Sequence, residues 1–172
     1  MQRVAVAAVD LLLRRHTLLA DEHRRPQRLV SVTVRRAESA AEVEAAIALR
    51  AAVFVGEQGV APEEDVDGRD GEALHLVAMD GERVVGTCRL IADGERMKLG
   101  RMAVDRSRRG EGIAALLLSA SDHEAELAGA RRIVLGAQVP AIGVYERAGY
   151  AAHGEVFLDA GIEHVWMEKT LA

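Results

Sequence analysis

Cysteine is nearly absent from this chain. The single thiol, Cys88, has no internal partner, so an internal disulfide is excluded and a reducing compartment is the simple reading. Cys88 lies inside a strand-like run, where a thiol serves as a small buried hydrophobe rather than a nucleophile. Positive charge is not in excess either. The net charge is −5, which leaves a nucleic-acid role without electrostatic support. No apolar run reaches membrane length: Val4 to Leu13 is interrupted by Asp10 and followed by Arg14, Arg15 and His16, too short to span a bilayer. That run also lacks the charged start and small-residue cleavage site of a signal peptide. The expectation is a cytoplasmic protein with no membrane partner. There is no internal repeat, and no histidine shows metal-ligand spacing, so no metal is expected.

What is present is a globular composition. The 172 residues are 49% hydrophobic and 28% charged, enough for one domain with its own core. The stretch that organises the rest is Gly100 to Leu118, GRMAVDRSRRGEGIAALLL. A strand-like run, Met102 to Val104, leads into a polar turn carrying Arg106, Arg108 and Arg109. Gly110 and Gly112 follow, and the chain turns apolar and helical from Ile113. Strand, basic glycine loop, helix is the layout of a phosphate site. The unpaired N–H groups of a helix start point outward and carry the positive end of the dipole. Glycines let an anion approach the backbone, and arginines add charge-assisted hydrogen bonds.

Spacing separates the families that use such a loop. A Walker A loop needs Gly-Lys followed by Ser or Thr, but Gly112 is followed by Ile113, so that pattern fails. The dinucleotide fingerprint fits literally as Gly110, Gly112 and Ala115. It also requires an acid about 20 residues on to hold a ribose. The next strand instead leads into Gly136, Ala137 and Gln138. The third pattern, R/Q-x-x-G-x-G/A, is matched by Arg109, Gly112 and Ala114.

The remaining chain alternates between strands and helices. Residues 1–28 form a separate segment: Gln2 to about Ala20 has helical spacing, and Asp21 to Gln27 with Pro26 reads as a linker. Two readings stand for it, an added helix that packs on the domain or a partner, and a poorly ordered tail. Leu29 to Arg36 alternates as a half-buried strand. Ser39 to Glu42 is a capping box that opens a helix ending near Gly56. Glu57 to Glu72 is an acid-rich loop with two readings, a solvated loop or a set of carboxylates that attract a cationic substrate. Leu74 to Met79 and Arg83 to Ile91 pair through Asp80-Gly81, and Arg96 to Val104 follows. A helix from Gly112 to about Ala128 ends at Gly129. Then come a strand from Ile133, a short helix opened by Pro140, and a closing hairpin of Tyr150 to Leu158 and Ile162 to Thr170. The single strand-helix-strand crossover places its two strands parallel inside a mostly antiparallel sheet.

Arg109, Gly112 and Ala114 resemble the acyl-CoA pyrophosphate loop of the GNAT superfamily of N-acetyltransferases. A second stretch, Gln138 to Tyr150 (QVPAIGVYERAGY), resembles that family's N-x-x-A-x-x-x-Y-x-x-x-G-F segment, with Gln138 for Asn and Tyr150 for Phe. Arg50 to Gln58, Asp65 to Gly68, Leu135 to Gln138 and Gly161 to His164 resemble its ElaA-like branch, where Gln is the usual residue at the position of Gln138. The likeness runs from about Val30 to Thr170. It implies an α+β, three-layer GNAT fold over residues 29–172: a mixed, mostly antiparallel sheet flanked by helices, with a splayed parallel strand pair that admits acetyl-CoA. It implies that the backbone of Met102, Ala103 and Val104 pairs with the pantetheine arm. Arg109, Gly110, Glu111, Gly112, Ile113 and Ala114 hold the pyrophosphate, and Gln138 also faces the cofactor.

Acyl transfer needs the thioester fixed, its carbonyl polarised and its thiolate protonated. The resemblance makes Tyr145 the acid toward sulfur; the other reading is a core aromatic on a short helix. An amine nucleophile must lose a proton. Glu57 is the candidate base, directly or through water; it reads equally as an anchor for its loop. His164 is a candidate for the substrate pocket, and Gln58 for orienting substrate. Arg89 and Arg101 are expected in structural pairs. The implied reaction is direct attack by a small-molecule or protein amine, with no covalent enzyme intermediate. The contrasting reading is an acyl-CoA-binding regulatory module without efficient catalysis, and a weaker third is a dinucleotide-binding protein. Relatives of this fold include dimers, which leaves a homodimer open.

Overall fold

The computed structural model describes residues 32–172. The expected N-terminal helix and linker, and the first residues of the expected first strand, lie outside them. One seven-stranded sheet organises the described chain, in the order β1-β2-β3-β4-β5-β7-β6. The strands are β1 (Val32–Arg36), β2 (Leu74–Asp80), β3 (Arg83–Asp93), β4 (Arg96–Val104), β5 (Arg132–Gln138), β6 (Ala151–Asp159) and β7 (Ile162–Thr170). All neighbours are antiparallel except β4 and β5. The helices are α1 (Ala40–Ala51), α2 (Pro62–Asp65), α3 (Ile113–Leu127) and α4 (Ile142–Arg147).

Strand β2 shows why the sheet is sandwiched. Its alternate residues join two different clusters: Leu76 and Ala78 pack with Ile113, Leu117 and Leu118 of α3. Val77 and Met79 pack with Ala46 of α1. A strand covered on both faces is apolar throughout rather than alternating. The β5-α3-β4 region obeys the crossover rule: α3 returns the chain so that β5 runs parallel to β4. Gly129 takes the left-handed conformation just past α3, with φ 74°, and its N–H reaches the Glu126 carbonyl at 2.9 Å.

The expected capping box is present with one shift. The Ser39 hydroxyl accepts from the Glu42 N–H at 3.2 Å. The Glu42 carboxylate accepts from the N–H of Glu38, at 2.8 Å, one residue before the cap, because Arg35 also holds it at 2.8 Å. Beyond Ala51 the helix widens into π-type turns over Ala52–Glu57. Wider turns of this kind recur at functional sites, and this one ends at Glu57 and Gln58.

Two departures in β4 open the sheet. Arg101 has φ 52°, in the left-handed region that a branched or bulky side chain rarely visits. It sits in a bulge: Thr87 pairs with Ala103 and Arg89 with Gly100, so Cys88 faces both Arg101 and Met102. Bulges bend a strand and re-aim its side chains. The parallel ladder between β4 and β5 extends only from Arg96–Lys98 against Arg132–Val134. After Lys98 the two strands separate. The expected splayed pair is present, and the bulge lies at the splay.

Candidate active site

The gap between β4 and β5 opens into a cavity of ≈ 440 Å³. Its walls include Gly100 to Val104 from β4, Leu135, Gly136 and Gln138 from β5, and Tyr145 from α4. Phe54, Glu57 and Gln58 come from the widened end of α1, Glu64 and Asp65 from α2, and Phe157, His164 and Trp166 from the closing hairpin. Of the residues expected to serve chemistry, Glu57, Met102, Ala103, Val104, Arg109, Gln138 and Tyr145 meet in this one cavity. Gly110, Glu111, Gly112, Ile113 and Ala114 do not line it; they form the start of α3 beside it.

That helix start has the shape an anion needs. Gly110 and Gly112 have φ 82° and 83°, and a Cβ at either would meet no atom within 4 Å. Gly112 caps α3 without a side-chain bond, and the first helical bond is Leu116 N–H to Gly112. The N–H groups of Ile113, Ala114 and Ala115 therefore have no acceptor among the described residues. Glu111 is turned aside, since its carboxylate accepts from Arg108 Nε at 2.8 Å. Arg108 also pairs with Asp80 and is buried, so it shapes the loop instead of facing a ligand. These open donors, uncovered glycines and a neighbouring Arg109 fit a pyrophosphate.

Arg109 is engaged in a different way. Its two terminal nitrogens donate to both Glu57 oxygens at 2.8 and 2.9 Å, and Nε donates to the Val104 carbonyl at 3.1 Å. The hydrogen bond from Arg109 holds the Glu57 carboxyl below its ordinary value, outweighing its partial burial. Gln58 and Gln138 exchange amide hydrogen bonds of 3.0 and 2.9 Å across the cavity.

Tyr145 is 8% exposed. Its phenol is pushed up to about 12, first by burial and then by the neighbouring Cys88, so it stays protonated at neutral pH. Its ring meets Tyr150 edge-on, centroids 6.1 Å apart. Tyr150 donates to Asp122 at 3.1 Å, whereas the Tyr145 hydroxyl has no partner among the described residues and is not sealed from solvent. Tyr145 is therefore a packed ring whose hydroxyl is presented to the cavity. Cys88 is 1% exposed, and burial pushes its thiol up to about 12 against a weak contact with Ser121. It is inert, as its strand position suggests.

The acidic loop is spent internally. Asp65 accepts from Arg50 at 3.2 Å, and both are buried. Asp70 accepts from Arg50 at 2.6 Å and from Arg89 at 3.0 Å. Asp67 accepts from Arg89 at 2.8 and 2.6 Å. Arg101 donates to the Glu64 and Asp65 carbonyls at 2.7 and 3.1 Å. His75 Nε2 lies 2.9 Å from the Asp70 carbonyl. For these aspartates neither a solvated loop nor a lure for cations describes the structure. They are the inner half of an arginine network, as expected for Arg89 and Arg101.

Of the aromatic wall, His164 was expected at the pocket, whereas Phe157 and Trp166 were not. Phe157 stacks on Trp166 at 5.0 Å and on His164 at 5.8 Å, with interplanar angles of 23° and 26°. The available signal was the alternation of His164 and Trp166 with buried Val165 and Met167 on β7. No cluster of metal-ligating side chains occurs among the described residues, and none of the described helices is long and apolar enough to cross a membrane.

A family model described as an acetyltransferase (GNAT) domain matches residues 31–171. The chain is 37% identical over 134 residues to the uncharacterised N-acetyltransferase YjcF of Bacillus subtilis, covering 77% of this chain and 96% of that protein. The crystal structure of Escherichia coli ElaA is similar with a TM-score of 0.72 at 26% identity, covering 80% of this chain and 99% of ElaA. An acyl-CoA N-acyltransferase from Pseudomonas aeruginosa gives 0.70 at 29% identity, covering 80% and 97%.

Proposed function

Since the chain belongs to the GNAT family of acetyltransferases, we propose that it transfers an acetyl group from acetyl-CoA to a primary amine by direct attack in a ternary complex. The observation that carries this is the splayed β4/β5 gap, which opens beside the uncapped start of α3. Acetyl-CoA supplies an activated acyl group on a thioester sulfur.

The chain's own residues bind, orient and move protons. The N–H groups at the start of α3, with Gly110 and Gly112, take the pyrophosphate. Met102, Ala103 and Val104, unpaired on the β5 side, offer a strand edge to the pantetheine arm, and an N–H there polarises the carbonyl. Gln138, bonded to Gln58, forms the opposite lip. Tyr145 keeps its proton at neutral pH and donates it to the leaving sulfur. The ion pair with Arg109 supports the anchoring reading of Glu57, because both carboxylate oxygens are occupied. With Cys88 inert, no side chain among the described residues offers a thiolate for a covalent route. The acceptor is a small-molecule or protein amine, and the lone buried thiol suits a cytoplasmic protein.

Calorimetric titration with acetyl-CoA and, separately, with NAD tests the reading. Saturable binding of acetyl-CoA alone, with release of free CoA when n-butylamine is added, is the expected result. Binding of NAD alone would replace it with the dinucleotide pattern of Gly110, Gly112 and Ala115. Tight acetyl-CoA binding without CoA release for any amine in a broad panel would favour the regulatory module.

A further inference from the structure

The proposed reaction requires something to take the amine proton, and Glu57 is poorly placed to do it. Both of its oxygens are bonded to Arg109, and a carboxylate held that way is a weaker proton acceptor. His164 lines the same cavity. Its Nδ1 lies 2.8 Å from the Ile162 carbonyl oxygen. A carbonyl only accepts, so Nδ1 carries the hydrogen and the neutral ring presents the Nε2 lone pair. Nε2 has no partner among the described residues, and none of their buried side-chain nitrogens is left unpaired. It is therefore open rather than sealed in.

The ring is held on two sides, and on a third it faces Gly136, which has no side chain. Phe157 stacks on one face at 5.8 Å, and the Ile162 bond fixes the Nδ1 edge. The Cδ2 atom, next to Nε2, lies 3.9 Å from where a Cβ on Gly136 would sit. Gly136 belongs to β5 in the splayed gap, and His164 is in register with Gln138 at the strand's end. A bond from Nδ1–H to a carbonyl that leaves Nε2 as the base is the usual way a protein sets a histidine for proton transfer. Of the charged groups sharing the wall, Glu57 is paired with Arg109 and Asp65 with Arg50 and Arg101. Lys98, Glu64 and Asp159 make up the rest.

We infer that His164, through Nε2, is the catalytic base for the incoming amine. This rests on the acetyl-transfer reading above. Starting from the neutral amine, its nitrogen bonds to the acetyl carbonyl carbon and the carbon–sulfur bond breaks with its electron pair on sulfur. The N–H proton passes to His164 Nε2, and the Tyr145 hydroxyl protonates sulfur. His164 then releases its proton to water, and water restores Tyr145.

The test uses the full chain, with n-butylamine as the probe amine. His164→Gln lowers kcat by about 100-fold or more, removes the acidic limb that remains once the pH–rate profile is corrected for the ionisation of n-butylamine itself, and leaves acetyl-CoA affinity by calorimetry within about twofold. Free imidazole restores turnover to His164→Ala in proportion to its unprotonated fraction, which a merely structural histidine does not allow. The ¹⁵N spectrum of the unliganded protein shows His164 as the Nδ1–H tautomer. Retained turnover and acidic limb in His164→Gln overturns the assignment, as does an Nε2–H tautomer. Loss of that limb in Glu57→Gln but not in His164→Gln transfers the role to Glu57. Failure of the wild-type chain to bind acetyl-CoA or release CoA sinks the acetyl-transfer reading instead, so the two failures are distinguishable.

Discussion

Two charge-rich loops flank the cavity, and they spend their charge in opposite ways. The acidic loop, Glu57 to Glu72, turns its aspartates inward onto Arg50, Arg89 and Arg101, where they hold structure. The basic loop, Asp105 to Gly112, buries Arg108, pairs Arg109 with Glu57, and leads into the open backbone donors of Ile113, Ala114 and Ala115. The net charge of a loop in the sequence therefore says little about the field it presents. What counts is which groups remain without partners once the chain is folded, and here those are the N–H groups at the start of α3 that the basic loop leads into.

The sharpest way to break this comparison is to remove one inward aspartate. Asp65→Ala takes one of two carboxylates from Arg50, only 1% exposed, leaving it Asp70 alone, and losing hydrogen bonds to a charged group costs about 1.5–3 kcal/mol. Urea unfolding midpoints measure it; a loss below about 1 kcal/mol would mean that the acidic loop is held some other way. On the catalytic side, Tyr145→Phe should cut kcat about 100-fold while calorimetric affinity for acetyl-CoA barely changes, and an unchanged rate would deny Tyr145 its role as acid. At the basic loop, Gly112→Trp places a side chain where φ is 83° and where the open donors lie. Acetyl-CoA affinity should fall at least about tenfold, or about 1.4 kcal/mol.

Acid sharpens the same contrast. The bonds from Arg89 hold Asp67 well below its ordinary 3.8, outweighing burial. Asp70 is lowered too: burial pushes it up, but Arg50 and Arg89 together outweigh that. Both groups have folded values below their unfolded ones. Their contribution is fully present above about pH 4 and is lost as pH falls through the lower folded values. Unfolding midpoints should drop over that window, and Asp67→Asn should flatten the drop. The smallest effect belongs to an outward pair. Glu95 and Arg131 are 70% and 76% exposed, so Glu95→Ala should change stability by less than about 0.5 kcal/mol in the same assay.

The basic loop was legible because its geometry is local. Two glycines in left-handed conformation and a helix start need only the residues between Asp105 and Ala115. The acidic loop was not. Nothing near Asp67 in the chain announces Arg89, twenty-two positions away, and the pairing exists only because β3 passes beneath. Arg101 was expected to pair, but its left-handed conformation belongs to a bulge set by register with β3. Phe157 meets His164 and Trp166 because the closing hairpin sets it directly opposite His164 on β7.

The sequence by itself determined the order of elements, the crossover that makes one strand pair parallel, the glycine loop that opens α3, and the family, since each rests on periodicity or on short motifs with fixed backbone demands. Tertiary structure alone decided which charges are spent and where β4 leaves β5. Those depend on partners distant in the chain, and a hydrogen bond's direction is settled only when donor and acceptor share a place in space.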